Sequence, residues 1–567
     1  MKESNFVEEQ DESQSINNSK KKESNKGKTN LSSNQKDSKI SLKKPTKTKA
    51  KIASEEVYGT ENLWKILLRV TGPTVLMLLF VGMYNVTDAL LASYLIPQNW
   101  GLSQGFAPEV SNPAIVAAGA YNSNIMYIVI AIITTINIGS EIKYAKLLSQ
   151  GKHDEAKQLL NTTFSSTALI TFIIFIIFLG VTPPIVEMLD NNSSTLAMDQ
   201  ATKYTQVELF WTFFYALSDM LIRILRVEGK AGWSSVLGSL GLPINLLFDW
   251  IFMGVVGTSL VGAGYASIIA EGITFFALLF FVLNLKRKNE TNMFDKNSSY
   301  IPSRVILIAS ISIGSPVLFR SIIQTANSIT ITTFATRITV PDTVKADMIS
   351  NGLDPNTFYS SSVAVYTELY ALLFAVMTGV VQGSGSVIAF NYHQKKYDRV
   401  KLATLITLLY MFIWVLFIQV IFQTQISGFF ALWSLPPNWP QEGQDFASIL
   451  LMRSIFVGIS YAIFGYYVST NKLWESYLLL FMQSIIVFYI VVPVFWAVFK
   501  DSQNGYIWYS LSITISEIIV ILLVIPAFIK EIFTLKKTPD GTDYPEYSIS
   551  DLIPDKVRDF FIKQQKR

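Results

Sequence analysis

Long apolar segments separated by short polar loops fill the chain from residue 65 to residue 530. A helix that crosses a bilayer needs about 20 predominantly apolar residues. Twelve segments meet this requirement, near 65–96, 113–140, 162–189, 204–225, 232–256, 259–285, 303–335, 362–390, 401–424, 446–470, 473–499 and 506–530. The pattern therefore predicts an all-α integral membrane protein with twelve transmembrane helices.

The second six segments repeat the first six. Identical residues recur 244 positions apart in the pairs Gly139/Gly383, Ser140/Ser384, Ala145/Ala389, Gln150/Gln394, Lys152/Lys396, Asp154/Asp398 and Lys157/Lys401. Two further pairs, Gly72/Gly314 and Asn85/Asn327, keep nearly the same register at 242 positions. Related bundles that meet at one interface are an architecture of secondary transporters. The repeat predicts two pseudo-symmetric six-helix bundles and favours transport.

The basic residues alternate between loops. Lys and Arg concentrate after the second, fourth, sixth and eighth segments, whereas the loops 97–112, 257–260 and 425–445 contain neither. Because cytoplasmic loops carry the excess of Lys and Arg, both termini are expected in the cytoplasm. We expect a multi-pass protein of a bacterial plasma membrane.

Four regions follow from these boundaries. Residues 1–60 are rich in Lys, Ser and Asn, and 61–290 and 291–535 hold the two bundles. Residues 536–567 form a second cytoplasmic tail. The first region has too few large apolar side chains to offset the entropy of ordering it, so it is expected to be a disordered tail.

Composition narrows the function further. Half of the residues are hydrophobic, only 16% are charged, and cysteine is absent. Disulfides, thiolate metal sites and cysteine nucleophiles are therefore excluded. The chain also contains no HExxH, GxSxG or P-loop motif, so a membrane enzyme or an ATP-driven pump has no motif to support it.

Buried polar residues of the first bundle form the candidate site. Asp88 lies nineteen residues beyond Arg69, and Asp249 lies nineteen beyond Lys230, which places both ~28 Å from the cytoplasmic side. Ser267 reaches the same depth on a helix of opposite direction, and Asn245 stacks one turn from Asp249. Oxygen ligands of this kind suit sodium, while facing carboxylates also suit a proton.

The residues of several motifs resemble those of the multidrug and toxic compound extrusion (MATE) family. These motifs are Tyr84-Asn85-Val86-Thr87-Asp88, Leu225-Arg226-Val227-Glu228-Gly229, Asn245-Leu246-Leu247-Phe248-Asp249, Val261-Gly262-Ala263 with Ala266-Ser267, Gln382-Gly383 and Asn391-Tyr392. The resemblance implies a V-shaped pair of bundles and an antiporter that exports amphipathic, often cationic compounds against sodium or protons. The chain departs from the family at Gln324, where some members have a carboxylate, and at Met482-Gln483, where some have Arg-Gln.

Other polar residues within the segments are secondary candidates, because ionisable groups inside a membrane are costly unless they are paired or hydrated. They are Asn85, Asp219, Glu271, Arg320, Gln324 and Glu368. Asp219 is the i−4 neighbour of Arg223, so an ion pair within one helix explains it. Arg320 and Glu368 lie in the second bundle and are candidates for a buried ion pair, whose role would be to set packing.

One alternative function remains open on the same fold, a flippase of lipid-linked sugars or other lipids. The expected partners are small organic substrates and membrane lipid, with no nucleic acid, and the expected state is a monomer. No cofactor is expected apart from the coupling ion.

Overall fold

The computed structural model describes residues 53–106, 108–190, 195–350, 355, 358–432 and 439–535. Helices dominate this part of the chain. In order they are α1 (Ala53–Thr60), α2 (Leu63–Ile96), α3 (Pro108–Ser149), α4 (His153–Asp190), α5 (Thr195–Val227), α6 (Ala231–Gly238), α7 (Gly241–Asp249), α8 (Leu260–Arg287), α9 (Arg304–Ala335), α10 (Asp342–Ser350), α11 (Phe358–His393), α12 (Tyr397–Thr424), α13 (Ile426–Leu432), α14 (Gln441–Ser469), α15 (Leu473–Phe481), α16 (Phe488–Phe499) and α17 (Gly505–Thr534).

The twelve predicted crossings correspond to α2 to α5, α6 with α7, α8, α9, α11, α12, α14, α15 with α16, and α17. Within the described residues, eleven of these segments are long and apolar enough to span a membrane. The remaining crossing is α5, which has sufficient length but carries ionisable residues such as Glu208, Asp219 and Arg223 along the helix. The prediction of an all-α, twelve-helix membrane fold is confirmed.

Three crossings in the described part of the chain contain a π-helical turn. The turn Pro97–Gly101 extends α2. In the fifth crossings of the two bundles, the turn Trp250–Val256 follows α7 directly, and the turn Met482–Val487 joins α15 to α16. Single π-helical turns occur frequently at functional sites, and the turn Trp250–Val256 begins at the residue after Asp249.

The two bundles meet along two helix pairs, in which α2 packs on α11 and α3 packs on α9. Glycines allow the backbones to approach closely. A Cβ atom at Gly139 would lie 1.8 Å from the carbonyl oxygen of Ser310, and one at Gly383 would lie 2.6 Å from the Cα of Thr71. Small residues permit such packing in membranes, where the hydrophobic effect does not drive helices together.

These glycine contacts lie in one half of the molecule. We define its basic face as the end that carries the loops 150–152, 228–230, 288–303 and 394–396. Gly139 is ten residues from the end of α3, ~15 Å at 1.5 Å per residue, and Thr71 is eight residues from the start of α2, ~12 Å. The bundles are therefore closed against each other on the side of the basic face.

Helix α1 strengthens this closure. The Tyr58 hydroxyl donates to the carbonyl oxygen of Arg226 in the first bundle. In the second bundle, Asn391 Nδ2 and Arg399 Nη2 donate to the Tyr58 carbonyl oxygen at 3.0 and 2.9 Å. Lys396 Nζ donates to the carbonyl oxygen of Gly59 at 3.0 Å. This short helix thus connects the two bundles.

The expected disordered tail is therefore wrong for its last eight residues. Helix α1 covers Ala53–Thr60, and Tyr58 is 1% exposed. The composition argument failed here because one buried tyrosine and a few backbone carbonyls suffice to fix a short segment on a preformed surface. Residues 1–52 and 536–567 lie outside the described part of the chain.

Candidate functional site

Two carboxylates face each other in the first bundle. Asp88 comes from α2 and Asp249 from the last position of α7, and their carboxyl groups lie within hydrogen-bonding reach. Both side chains are buried, at 9% and 0% exposure. Tyr204 of α5 donates to Asp88 Oδ2 at 3.4 Å. No N–H or hydroxyl group among the described residues donates to either Asp249 oxygen.

The other two predicted site residues contact each other. Asn245 lies one turn before Asp249 on α7, and its Nδ2 is 3.5 Å from Ser267 Oγ of α8. Both side chains are buried. The structure therefore brings Asp88 to Asp249 and Asn245 to Ser267, with the two pairs joined through the common face of α7.

A third carboxylate near this site was missed from the sequence. Glu208 of α5 accepts a hydrogen bond from Asn122 Nδ2 of α3 and lies within electrostatic reach of Asp88. It is one helical turn beyond Tyr204, which bonds Asp88 directly. The signal was present, because Glu208 is an ionisable residue inside the segment 204–225, and such residues are candidate sites by default.

No positively charged side chain among the described residues neutralises the carboxylates of this site. Among the described residues, no Lys or Arg forms an ion pair with Asp88, Asp249 or Glu208. Carboxylates in a low-dielectric interior are costly unless they are neutralised. A bound cation or proton would supply this neutralisation, so the arrangement has the chemistry of a cation or proton carrier.

The residue types fit a sodium ion, since carboxylate, amide and hydroxyl oxygens are its suitable ligands. Within the described residues there is no cluster of three or more His, Asp or Glu side chains arranged to hold a metal. A sodium ligand set would therefore add neutral oxygens to the carboxylates, and the side chains of Asn245 and Ser267 are candidates for this role. A proton requires only Asp88 and Asp249.

Comparison with known proteins shows which proteins this chain resembles. The MatE family model matches residues 104–251. An outward-facing multidrug resistance MATE transporter of the MOP superfamily has a TM-score of 0.71 to this chain at 16% identity, covering 87% of this chain and 100% of that one. The chain has the fold of the MATE transporters, in agreement with the resemblance indicated by the sequence motifs. By this fold it is a multi-pass membrane protein.

Relatives of this protein include two uncharacterised bacterial proteins. One, from Mycoplasmoides gallisepticum, is 21% identical over 527 residues, which cover 80% of this chain and 86% of the relative. The other, from Mycoplasma genitalium, is 21% identical over 504 residues, which cover 80% of this chain and 89% of the relative. A MOP superfamily transporter from Pyrococcus furiosus, described as having a binding pocket of reverse polarity, has a TM-score of 0.66 at 16% identity, covering 86% of this chain and 100% of that one.

Asp219 belongs to a network of buried charges near the basic face. Arg223 Nε lies 2.9 Å from Asp219 Oδ2, so the expected ion pair forms. Arg223 Nη1 also lies 3.1 Å from Glu141 Oε2. Ser386 of the second bundle donates to Glu141 Oε1 at 2.9 Å. The network therefore spans both bundles, and Glu141 is the member that sequence reasoning missed.

Glu271 lies beside Ser218 and within electrostatic reach of Asp219, so it belongs to the first bundle's interior and not to the Asp88–Asp249 pair. Gln324 is half-buried on α9, one turn beyond Arg320. The side chain of Asn85 lies outside the described part of the protein.

The candidate ion pair of Arg320 and Glu368 is wrong. Both residues are described, and they form no ion pair. Arg320 stacks on Tyr461 instead, with the guanidinium carbon 4.1 Å from the ring centre. Glu368 lies near Tyr127 of α3. Sequence spacing gave each residue a depth, but it could not show which side of α11 faces α9.

Proposed function

We propose that this protein is a secondary active antiporter, which exports amphipathic organic compounds in exchange for sodium or protons. The observation that carries the proposal is the buried pair of Asp88 and Asp249, which has no positive side chain beside it among the described residues. A cation or a proton stabilises this pair, so the conformation that admits the ion is favoured when the ion concentration is high.

Coupling follows from this preference. If the ion-bound and the substrate-bound states require opposite conformations, each ligand weakens the binding of the other. The ion gradient then drives the substrate out. We propose that Asp88 and Asp249 hold the ion, and that Asn245 and Ser267 supply neutral oxygens if the ion is sodium.

The conformation described above supports an assignment of sidedness. The bundles pack most closely on the side of the basic face, where glycines of α3 and α11 contact the opposite bundle. Basic loops favour the cytoplasm. We therefore interpret the structure as closed towards the cytoplasm, with both termini on that side of a bacterial plasma membrane.

Transport in vesicles tests the proposal. The purified protein is reconstituted, and sodium and proton gradients are imposed separately. The probes share one aromatic body and differ in charge: pyrenebutylamine, pyrenebutyramide and pyrenebutyrate. We expect at least one probe to be transported faster when one of the gradients is present. Gradient-independent movement of all three would contradict the proposal.

Two variants separate the site from the rest of the bundle. Asp249→Asn removes the charge and keeps the shape, so we expect gradient-driven transport to fall to the rate of protein-free vesicles. Asp199→Asn is the matched control, because Asp199 is an exposed residue near the start of α5 and pairs with Lys203 at 2.8 Å. Normal coupled transport by Asp249→Asn would exclude Asp249 from the coupling site.

The flippase alternative keeps one supporting observation, the two buried arginines of the second bundle, Arg320 and Arg453. Lipid-linked sugars carry phosphate, which arginine binds well. The family resemblance implies a cationic substrate instead, but the carboxylates of the first bundle are assigned in this proposal to the coupling ion.

A further inference from the structure

Arg320 is a buried cation, and two of its nitrogen atoms have no hydrogen-bond acceptor among the described residues. It lies at the middle of α9, and its side chain is 7% exposed. Its Nε and Nη1 atoms are buried and form no hydrogen bond within the described residues. A buried polar group without a partner costs free energy, and a buried charge costs more. The residue therefore has donors available for a ligand.

The contacts that Arg320 does make leave those donors free. Its guanidinium carbon lies 4.1 Å from the ring centre of Tyr461, 5.2 Å from that of Phe464 and 5.8 Å from that of Phe374. These cation–π contacts engage the positive charge. The N–H groups of a guanidinium lie in its plane and match carboxylate or phosphate oxygens. The rings thus hold the group without consuming its hydrogen-bonding capacity.

The surrounding charges add a second cation. Arg453 of α14 lies with its guanidinium carbon 4.6 Å from the ring centre of Tyr370, and its Nη2 donates to the Tyr370 hydroxyl at 3.2 Å. Glu517 of α17 is within electrostatic reach of both arginines but forms an ion pair with neither in the described structure. Gln483 Nε2 donates to Glu517 Oε2 at 2.7 Å. Two guanidinium groups therefore face one carboxyl group.

Aromatic rings of this cluster border the space between the bundles. Tyr461 and Phe464 also line a cavity of ≈ 50 Å³ whose opposite wall includes Glu141 and Arg223 of the first bundle. In the closed conformation the cavity is too small for a drug-sized ligand, for which sites of about 300–1,000 Å³ are typical. Separation of the bundles near this cavity would enlarge it on the side of the Arg320 rings.

We propose that Arg320, supported by Arg453 and the aromatic residues around them, binds the acidic group of an amphipathic organic anion. This assignment rests on the proposed transport function and gives its substrate class: an acidic group beside an apolar or aromatic body. The two bundles then bind different ligands. The carboxylates of the first bundle take the coupling cation, and the guanidinium groups of the second take the substrate.

Equilibrium binding tests this assignment independently of transport. The same three pyrene probes are titrated onto purified protein in nanodiscs of phosphatidylcholine, followed by fluorescence anisotropy. A charge-assisted hydrogen bond to Arg320 predicts about 10- to 100-fold tighter binding of pyrenebutyrate than of the neutral amide. Equal affinities, or a preference for the amine, would overturn the anion site.

Arg320→Gln should abolish this preference and leave binding of the amide unchanged. Arg304→Gln is the matched control, because it removes the same charge from the exposed first turn of α9. Arg320→Lys keeps the charge and loses the planar group, so the preference should fall and binding of the amide should stay. If Arg320 only fixes packing, its variants would weaken all three probes equally and lower the melting temperature, which would refute the proposal.

Two further experiments distinguish a failure of the anion site from a failure of the coupling site, and a lipid ligand from a soluble one. Asp249→Asn should keep the preference for pyrenebutyrate, because that residue belongs to the coupling site; a loss there would contradict the division between bundles. Nanodiscs that contain phosphatidylglycerol displace pyrenebutyrate if the natural ligand is a lipid headgroup. Displacement by free benzoate alone assigns the site to soluble organic anions. Failure of coupled transport with intact anion preference would contradict the transport proposal alone.

Discussion

Gly314 offers a direct test of how the bundles close. A Cβ atom at this position of α9 would lie 1.9 Å from the carbonyl oxygen of Thr135 in α3 and 2.8 Å from its carbonyl carbon. Carbon–oxygen contacts are ordinarily about 3.3 Å or longer. Gly314→Ala therefore forces the two backbones apart by ~1 Å or more, since no side-chain rotation relieves a clash with backbone.

The expected shift in the equilibrium between closed and open bundles follows from the free-energy cost of overpacking. Added methylene groups in a well-packed core cost about 1–3 kcal/mol, which corresponds to a change of about 5- to 150-fold in an equilibrium. Because the clash exists only when the bundles are closed on the side of the basic face, the closed population should fall by that factor.

The repeat provides the control. Gly72 is the counterpart of Gly314 in the first bundle, yet a Cβ there would meet nothing within 4 Å. Gly72→Ala should leave the equilibrium unchanged. The pair of variants therefore compares the same substitution at equivalent positions of the two bundles.

Spin labels report the closure. The chain has no cysteine, so Asp154→Cys and Asp398→Cys provide the two labelling positions without further changes. Their side chains are 94% and 102% exposed, and they belong to different bundles. We expect double electron–electron resonance to show a longer distance in Gly314→Ala alone. Identical distance distributions in both glycine variants would refute the packing argument.

Two other outcomes are expected. Asp88→Asn should make the binding of pyrenebutyrate insensitive to external sodium and to pH, because it removes one charge of the coupling pair; an ion-dependent affinity that survives would place coupling elsewhere. Deletion of residues 2–52 should leave the transport rate in vesicles unchanged, whereas deletion of residues 2–60 should reduce it. Only the longer deletion removes the contacts of Tyr58 with both bundles. Equal rates for the two deletions would contradict the role of α1.

The crossings were predictable because they depend on local composition. The segments expected at 303–335 and 473–499 correspond to the helix Arg304–Ala335 and to the helical crossing Leu473–Phe499. A run of apolar residues fixes a crossing whatever its neighbours are, since each membrane helix satisfies its own backbone hydrogen bonds. The sequence therefore predicted the number and order of the crossings, whereas some helix ends differ from the predicted ones by up to nine residues, as at Ser149 and His153.

The sequence was a poorer guide to which helices face each other across the membrane plane. Depth along each helix placed Asp88 and Asp249 at one level, and the structure brings them together. The same reasoning gave Arg320 the wrong partner, because a depth does not specify which helix faces which. Glu208 joined the site from α5, whose rotation about its own axis is set by packing against α3, α4 and α8.

Helix α1 also has a consequence for biosynthesis. Tyr58 leaves the ribosome early, yet its carbonyl oxygen is bonded by Asn391 and Arg399, which are 333 and 341 positions later in the chain. At about 5–20 residues per second, these partners are made roughly 17–70 s after Tyr58. Helix α1 can therefore connect the two bundles only after the eighth crossing has been made, so this part of the closure cannot form while the first bundle stands alone.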